Sequence, residues 1–184
     1  EHYAEHIAYK YKNKPSDKEI IKKTYAEAGM DIKAFGTEML NRGAKKIAVI
    51  GKNRYEWCVT YLGTTTSGLI IVPLDKLLPD REIENLIRRS GADTVVCDEK
   101  YLSAIKSMKE SEGNNLKTII CMDKIDDKDV EYWHDVKENG KKLLDKGDKK
   151  YEKVEIDENK MSILLFTSGT TAEAKGVMLS QKNI

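Results

Sequence analysis

The chain has 184 residues, enough for one sizeable core or for a share of a larger one. Its 32 lysines and arginines against 31 aspartates and glutamates leave a net charge of +1, which excludes a global electrostatic pull toward nucleic acid or anionic membrane. With 40% hydrophobic residues and no apolar run of the roughly 18–20 residues a membrane helix needs, the composition points to a folded soluble α/β chain without a transmembrane segment.

The opening residues, Glu1-His-Tyr-Ala-Glu-His6, lack signal-peptide character, so a cytoplasmic setting is expected. Residues 6–12 alternate with period two and predict a short strand. Thr24-Tyr-Ala-Glu27 has the form of a capping box and opens a helix to about Arg42. Ala28, Ile32, Phe35 and Met39 share one face of it, and Gly43 is a natural stop. Residues 46–51 are apolar enough for a strand buried on both faces, as parallel strands are.

Asn53-Arg-Tyr-Glu-Trp57 then leads into a helix reaching about Ser67. Two readings stand here. Polar groups could gather at the carboxyl edge of a sheet, where α/β proteins hold their ligands. Alternatively Asn53 caps the helix and Trp57 packs into the core, which is the preferred reading.

Residues 69–73 predict a second buried strand, and 81–90 a helix with Ile83, Leu86 and Ile87 inward, closed by Gly91. Residues 94–97 form a third strand, 101–112 a helix with Leu102, Ile105 and Met108 inward, and 116–122 a fourth strand. This alternation predicts a mostly parallel sheet with flanking helices and right-handed crossovers. Residues 123–160 turn to dense mixed charge, with Val130, Trp133, Val136, Leu143 and Leu144 outlining a weak amphipathic helix that Gly140 interrupts. The lysines here interleave with acids, so a solvated face is expected rather than an anion site. Cys58, Cys97 and Cys121 are spaced for neither metal nor disulfide and predict reduced, buried thiols. His2, His6 and His134 are scattered and receive no chemistry.

The most informative stretch lies near the end. Apolar residues 163–166 predict a buried strand, which breaks into Thr167, Ser168, Gly169, Thr170 and Thr171, then Lys175, before Val177-Met-Leu179 resumes the apolar pattern. Strand, loop and strand make a hairpin whose tip suits polyphosphate. Gly169 allows close backbone approach, successive N–H groups can form an anion-binding nest, the hydroxyls donate, and Lys175 brings a mobile positive charge. An ordinary turn is the competing reading. It is not a Walker loop, because the second glycine, Gly176, comes after the lysine where that motif needs Ser or Thr.

Thr167-Ser-Gly-Thr-Thr-Ala-Glu-Ala-Lys-Gly176 resembles the T-S-G-T-T-G-x-P-K-G signature of the AMP-forming adenylating enzymes, departing at Ala172 and Ala174. Those substitutions, with the following Val-Met-Leu-Ser180, look most like the long-chain acyl-CoA synthetase branch. The Lys46–Trp57, Gly68–Leu74 and Ser90–Val96 stretches are similar to the same family in order and approximate spacing.

The resemblance implies the N-terminal part of the large domain of an adenylate-forming enzyme. Residues 1–122 would be an α/β unit, 123–160 a charged excursion and 161–184 the phosphate-binding strand-loop-strand, with the C-terminal domain absent. It further implies that Thr167, Ser168, Gly169, Thr170, Thr171 and Lys175 bind ATP, with Lys175 the charge carrier in catalysis and no protein metal ligand in this stretch. ATP, Mg²⁺ and CoA would serve the intact enzyme, which would turn a fatty acid into acyl-adenylate and then acyl-CoA. This segment alone is not expected to turn over. A peptide-synthetase adenylation domain, an aryl-acid ligase and a non-catalytic nucleotide-binding module stay open, as does homo-oligomerisation. Nucleic acid is not an expected partner.

Overall fold

The computed structural model describes residues 2–13, 16–167 and 174–183. In chain order the elements are β1 (Ile7–Tyr11), β2 (Ile21–Thr24), α1 (Tyr25–Arg42), β3 (Lys46–Ile50), α2 (Tyr55–Thr66), β4 (Ile70–Pro73), α3 (Asp80–Ser90), β5 (Thr94–Cys97) and α4 (Leu102–Glu110). They continue with β6 (Thr118–Cys121), β7 (Glu131–Tyr132), α5 (Trp133–Asp145), β8 (Met161–Thr167) and β9 (Lys175–Ser180). Among the described residues, seven strands form one sheet in the order β7-β6-β5-β3-β4-β8-β9, and β1 pairs with β2 in a separate antiparallel ribbon. Every pairing in the large sheet is parallel except that of β8 with β9.

The apolar strands are buried on both faces. On β3, Ala48 and Ile50 face the layer built by Ile83, Leu86 and Ile87 of α3 with Leu102, Ile105 and Met108 of α4. Ile47 and Val49 face the opposite layer, made by Phe35 and Met39 of α1, Val59 of α2 and Trp133 and Val136 of α5. β5 and β6 divide in the same way, with Val95 and Ile119 on one side and Val96 and Ile120 on the other. Period-two alternation of wholly apolar residues is what a parallel sheet covered by helices on both faces requires.

The start of α1 follows the capping-box expectation: the Glu27 N–H donates to Thr24 Oγ1 (3.2 Å) and the Thr24 N–H donates to Glu27 Oε2 (2.8 Å). Other expectations need correction. β2 and β7 had no clear periodic signal, being four and two residues long. Asn53 does not cap α2; the cap position is Arg54, which makes no side-chain capping bond. Trp57 is half-buried: it stacks on Tyr61 (5.5 Å between centroids) and packs against the margin of the core. α5 runs unbroken through Gly140. A Cβ built on Gly140 would lie 1.9 Å from the carbonyl oxygen of Ala34, so this glycine is where α5 presses against α1. Trp133, fully buried, stacks on Phe35 and donates its indole N–H to Thr60 Oγ1 (2.9 Å). Cys97 and Cys121 are buried, but Cys58 is only half-buried.

Candidate functional site

In the large sheet the parallel strands end at one edge; the turns after β3, β5 and β6 lie along it, and β8 ends there at Thr167. β3 and β5 are neighbours, yet the helix after β3 covers one face on its way to β4 while the helix after β5 covers the other on its way to β6. That divergence defines a topological switch point, the place where open α/β sheets leave a crevice.

Arg54 fills this crevice. Its Nε and Nη2 donate to the two oxygens of Glu56 (2.9 and 3.1 Å), and Nη1 donates to Asp98 Oδ1 (3.2 Å) and Asp123 Oδ1 (2.7 Å). Nη2 also donates to the carbonyl of Met122 (3.1 Å). Asp98 Oδ2 accepts the Lys52 N–H (2.7 Å), and His134 Nε2 lies 3.2 Å from Glu56 Oε1. Burial alone would raise the Glu56 pKa, but the hydrogen bonds from His134 and Arg54 outweigh it and hold the carboxyl at about 2. Burial lifts the neighbouring Cys121 thiol to about 11, which keeps it protonated and unreactive. A cleft of about 480 Å³ opens beside this network, lined by Tyr11, Asn53, Arg54, Tyr132 and His134 among others. Three carboxylates already compensate the Arg54 charge, so the cluster locks three strand ends together and Arg54 itself is not free for an anionic ligand. A larger cavity, about 850 Å³, is lined by Tyr3, Ala4, His6, Ile7, Tyr25 and Ala26, none of them at the carboxyl edge of the large sheet.

The hairpin is the other feature of that edge. β8 and β9 pair antiparallel through Phe166↔Gly176 and finally Thr167↔Lys175. Thr167 and Lys175 therefore stand opposite one another at the mouth of the connecting loop, and both are exposed. Among the described residues no carboxylate pairs with Lys175. Ser168, Gly169, Thr170 and Thr171, together with Ala172, lie outside the described residues. The structure thus places two of the six expected ligands. It brings neither of them to the Arg54 cluster, which the sequence had offered only as one of two readings of residues 53–57. His134, given no chemistry from its position in the sequence, joins that cluster through Glu56. The strand–Gly-x-Asn-Arg pattern pointed to the sheet edge at Arg54, but no local signal links it to His134, 80 positions on.

Among the described residues no group of three or more His, Cys, Asp or Glu side chains is arranged to hold a metal ion, and no helix is long and apolar enough to cross a membrane.

The sequence profile of the AMP-binding enzymes matches residues 1–184. Long-chain-fatty-acid–CoA ligase 5 of Rattus norvegicus is 28% identical over 178 residues, covering 88% of this chain and 25% of that protein. The mitochondrial medium-chain acyl-CoA ligase ACSF2 of Danio rerio is 26% identical over 182 residues, covering 89% of this chain and 30% of that protein. The fold is similar to that of the anthranilate CoA ligase AuaEII, solved in complex with anthranoyl-AMP. That match has a TM-score of 0.74 at 18% identity, over 88% of this chain and 30% of that one. The chain spans about a quarter of the length of the long-chain ligases it matches. With the profile matched from first residue to last over a sheet of the same architecture, the chain belongs to the AMP-binding enzyme family.

Proposed function

We propose that the protein carrying this chain activates a long-chain fatty acid with ATP, forming acyl-adenylate and pyrophosphate, and then transfers the acyl group to the CoA thiol with release of AMP. The observation that carries the reading is the hairpin mouth, where Thr167 faces Lys175, a lysine with no carboxylate partner among the described residues, at the two ends of a segment whose sequence bears glycine and hydroxyls. Attack of a carboxylate on the α-phosphorus brings two anions together and leaves charge on the departing pyrophosphate. A lysine and a ring of short donors at the β- and γ-phosphates neutralise that charge and hold the chain of phosphates in line with the attacking oxygen. None of these side chains acts as a nucleophile or base; the chemistry is done by positioning and charge. The described residues do not provide a cage for Mg²⁺, and no step is assigned to it in this part of the protein.

The similarity to long-chain fatty acid ligases supports the acyl class, and the ATP loop is assigned to Thr167, Ser168, Gly169, Thr170, Thr171 and Lys175. ATP–pyrophosphate exchange in the full-length protein tests both points. Palmitate should support exchange better than octanoate or benzoate. Lys175→Ala should slow it by about 10²-fold, the usual cost of removing one such stabilising donor. Exchange at the wild-type rate would remove Lys175 from the mechanism, and a preference for benzoate would assign the protein to the aryl-acid ligases.

A further inference from the structure

The hairpin is attached to the rest of the sheet near its base. The ladder between β4 and β8 registers the single pair Ile71↔Ile163, whereas β8 and β9 stay paired as far as Thr167↔Lys175. The mouth of the loop therefore projects four residues beyond the last registered bond to β4. There Phe166 and Ala174 pack against the α3–α4 core layer, and a polar grip is added from a different crossover. Arg89, in the last turn of α3, donates from Nη2 to the carbonyl oxygen of Ala174 (2.8 Å), and its guanidinium lies 5.6 Å from the centroid of the Phe166 ring.

These two contacts straddle the mouth: Phe166 lies one residue inside it on β8, and Ala174 lies one residue outside it, just before β9 begins. Phe166 immediately precedes Thr167, and Ala174 immediately precedes Lys175. Phe166 also lies across Gly176, its register partner, where an added Cβ would come 3.6 Å from Phe166 Cε1 and 3.3 Å from Leu164 Cδ1. Holding the Ala174 carbonyl fixes the peptide group from which Lys175 departs. Holding the Phe166 ring fixes the strand that carries Thr167. Both interactions use the guanidinium as a planar donor and cation toward neutral groups, and among the described residues no carboxylate pairs with Arg89.

We propose that Arg89 is a positioning residue for the nucleotide loop: it clamps the two strands at the mouth of the hairpin and so sets the direction of Lys175. The inference rests on the assignment of that loop to ATP. An anchor of this kind acts on the fraction of molecules whose loop is competent to bind, so its loss is felt as weaker apparent affinity for the nucleotide alone.

The test is ATP–pyrophosphate exchange by the full-length protein with Arg89→Ala, Arg89→Lys and Lys175→Ala. Arg89→Ala should raise the KM for ATP about tenfold, the size of one hydrogen bond and one exposed cation–π contact together. The KM for palmitate should not move. Arg89→Lys, which keeps a donor and a cation, should recover most of the loss. The tenfold ratio should persist at high salt, because neutral groups are being held; a ratio that collapses with salt would mean that Arg89 touches phosphate directly and would overturn the clamp. Hydrogen exchange supplies a second measurement, in which the Lys175 and Gly176 amides should exchange faster in Arg89→Ala. An unchanged KM for ATP in Arg89→Ala beside a crippled Lys175→Ala would refute the clamp and leave the loop assignment standing. Wild-type behaviour of Lys175→Ala would instead refute the loop assignment itself.

Discussion

Arg54 shows how much one side chain can organise. It joins the turn after β3 to the acids that follow β5 and β6 and to Glu56 in the first turn of α2, with Glu56 and Asp98 only 9% and 3% exposed. Replacing it with alanine would leave those carboxylates without their cation in a poorly hydrated place. Arg54→Ala should therefore cost about 3 kcal/mol, read as a lower urea midpoint at pH 7. The pH dependence follows from Glu56, whose folded pKa of about 2 lies below its ordinary 4.5. A carboxyl with a depressed folded pKa contributes stability that is complete above pH 4.5 and drains away as the pH falls toward 2. Glu56→Gln should flatten that acid limb, and a wild-type slope in the variant would show that the stabilisation lies elsewhere. Little of this was legible in the sequence. Asn53 drew attention because asparagine caps helices, but α2 begins at Tyr55 and the cap position falls to Arg54. Two of the partners of Arg54, Asp98 and Asp123, stand 44 and 69 positions away, a distance over which no local pattern carries information.

Among the elements, α1 is the one on which two neighbours close in through glycine. Gly36 meets α2 at Gly63, whose carbonyl oxygen would be 2.8 Å from an added Cβ, and Gly140 of α5 meets the Ala34 carbonyl at 1.9 Å. In a free helix, glycine to alanine stabilises by about 0.5–1 kcal/mol. Here the sign should reverse. The obstacle at Gly140 is backbone, which cannot swing aside, so the two helices must separate and uncover Trp133 and Phe35. Gly140→Ala should lose about 3 kcal/mol, measured by chemical unfolding, with the near-ultraviolet signal of Trp133 altered in the folded baseline. An increase in stability would mean that α5 does not press on α1 at this point. The sequence could not separate the two roles of this glycine. A break in the apolar stripe and a close helix contact both put glycine at the same position, and only the presence of α1 decides between them.

At the scale of the whole molecule, the parallel sheet was readable because β3, β4, β5 and β6 are apolar and alternate with segments that read as helices, while apolar β8 follows only a weak stripe. Strand order was not readable, nor was the addition of β7 at one edge, since pairing partners leave no periodic mark in so short a segment. The other edge carries the last consequence. β9 pairs on one side with β8, and its outer side is open among the described residues, with Val177 and Met178 exposed, Met178 at 70%. An edge strand with free backbone groups and exposed apolar side chains is a template for pairing with a second copy. The 184-residue chain in isolation should therefore associate as its concentration rises, seen as growth in hydrodynamic radius by light scattering. Met178→Lys places a charge on that edge and should suppress the growth without lowering the unfolding midpoint, because the side chain is already in solvent. Suppression accompanied by a lower midpoint would mean that Met178 packs within the chain. Unchanged growth would move the self-association to the exposed Tyr3 and Tyr25 at the opposite end of the sequence.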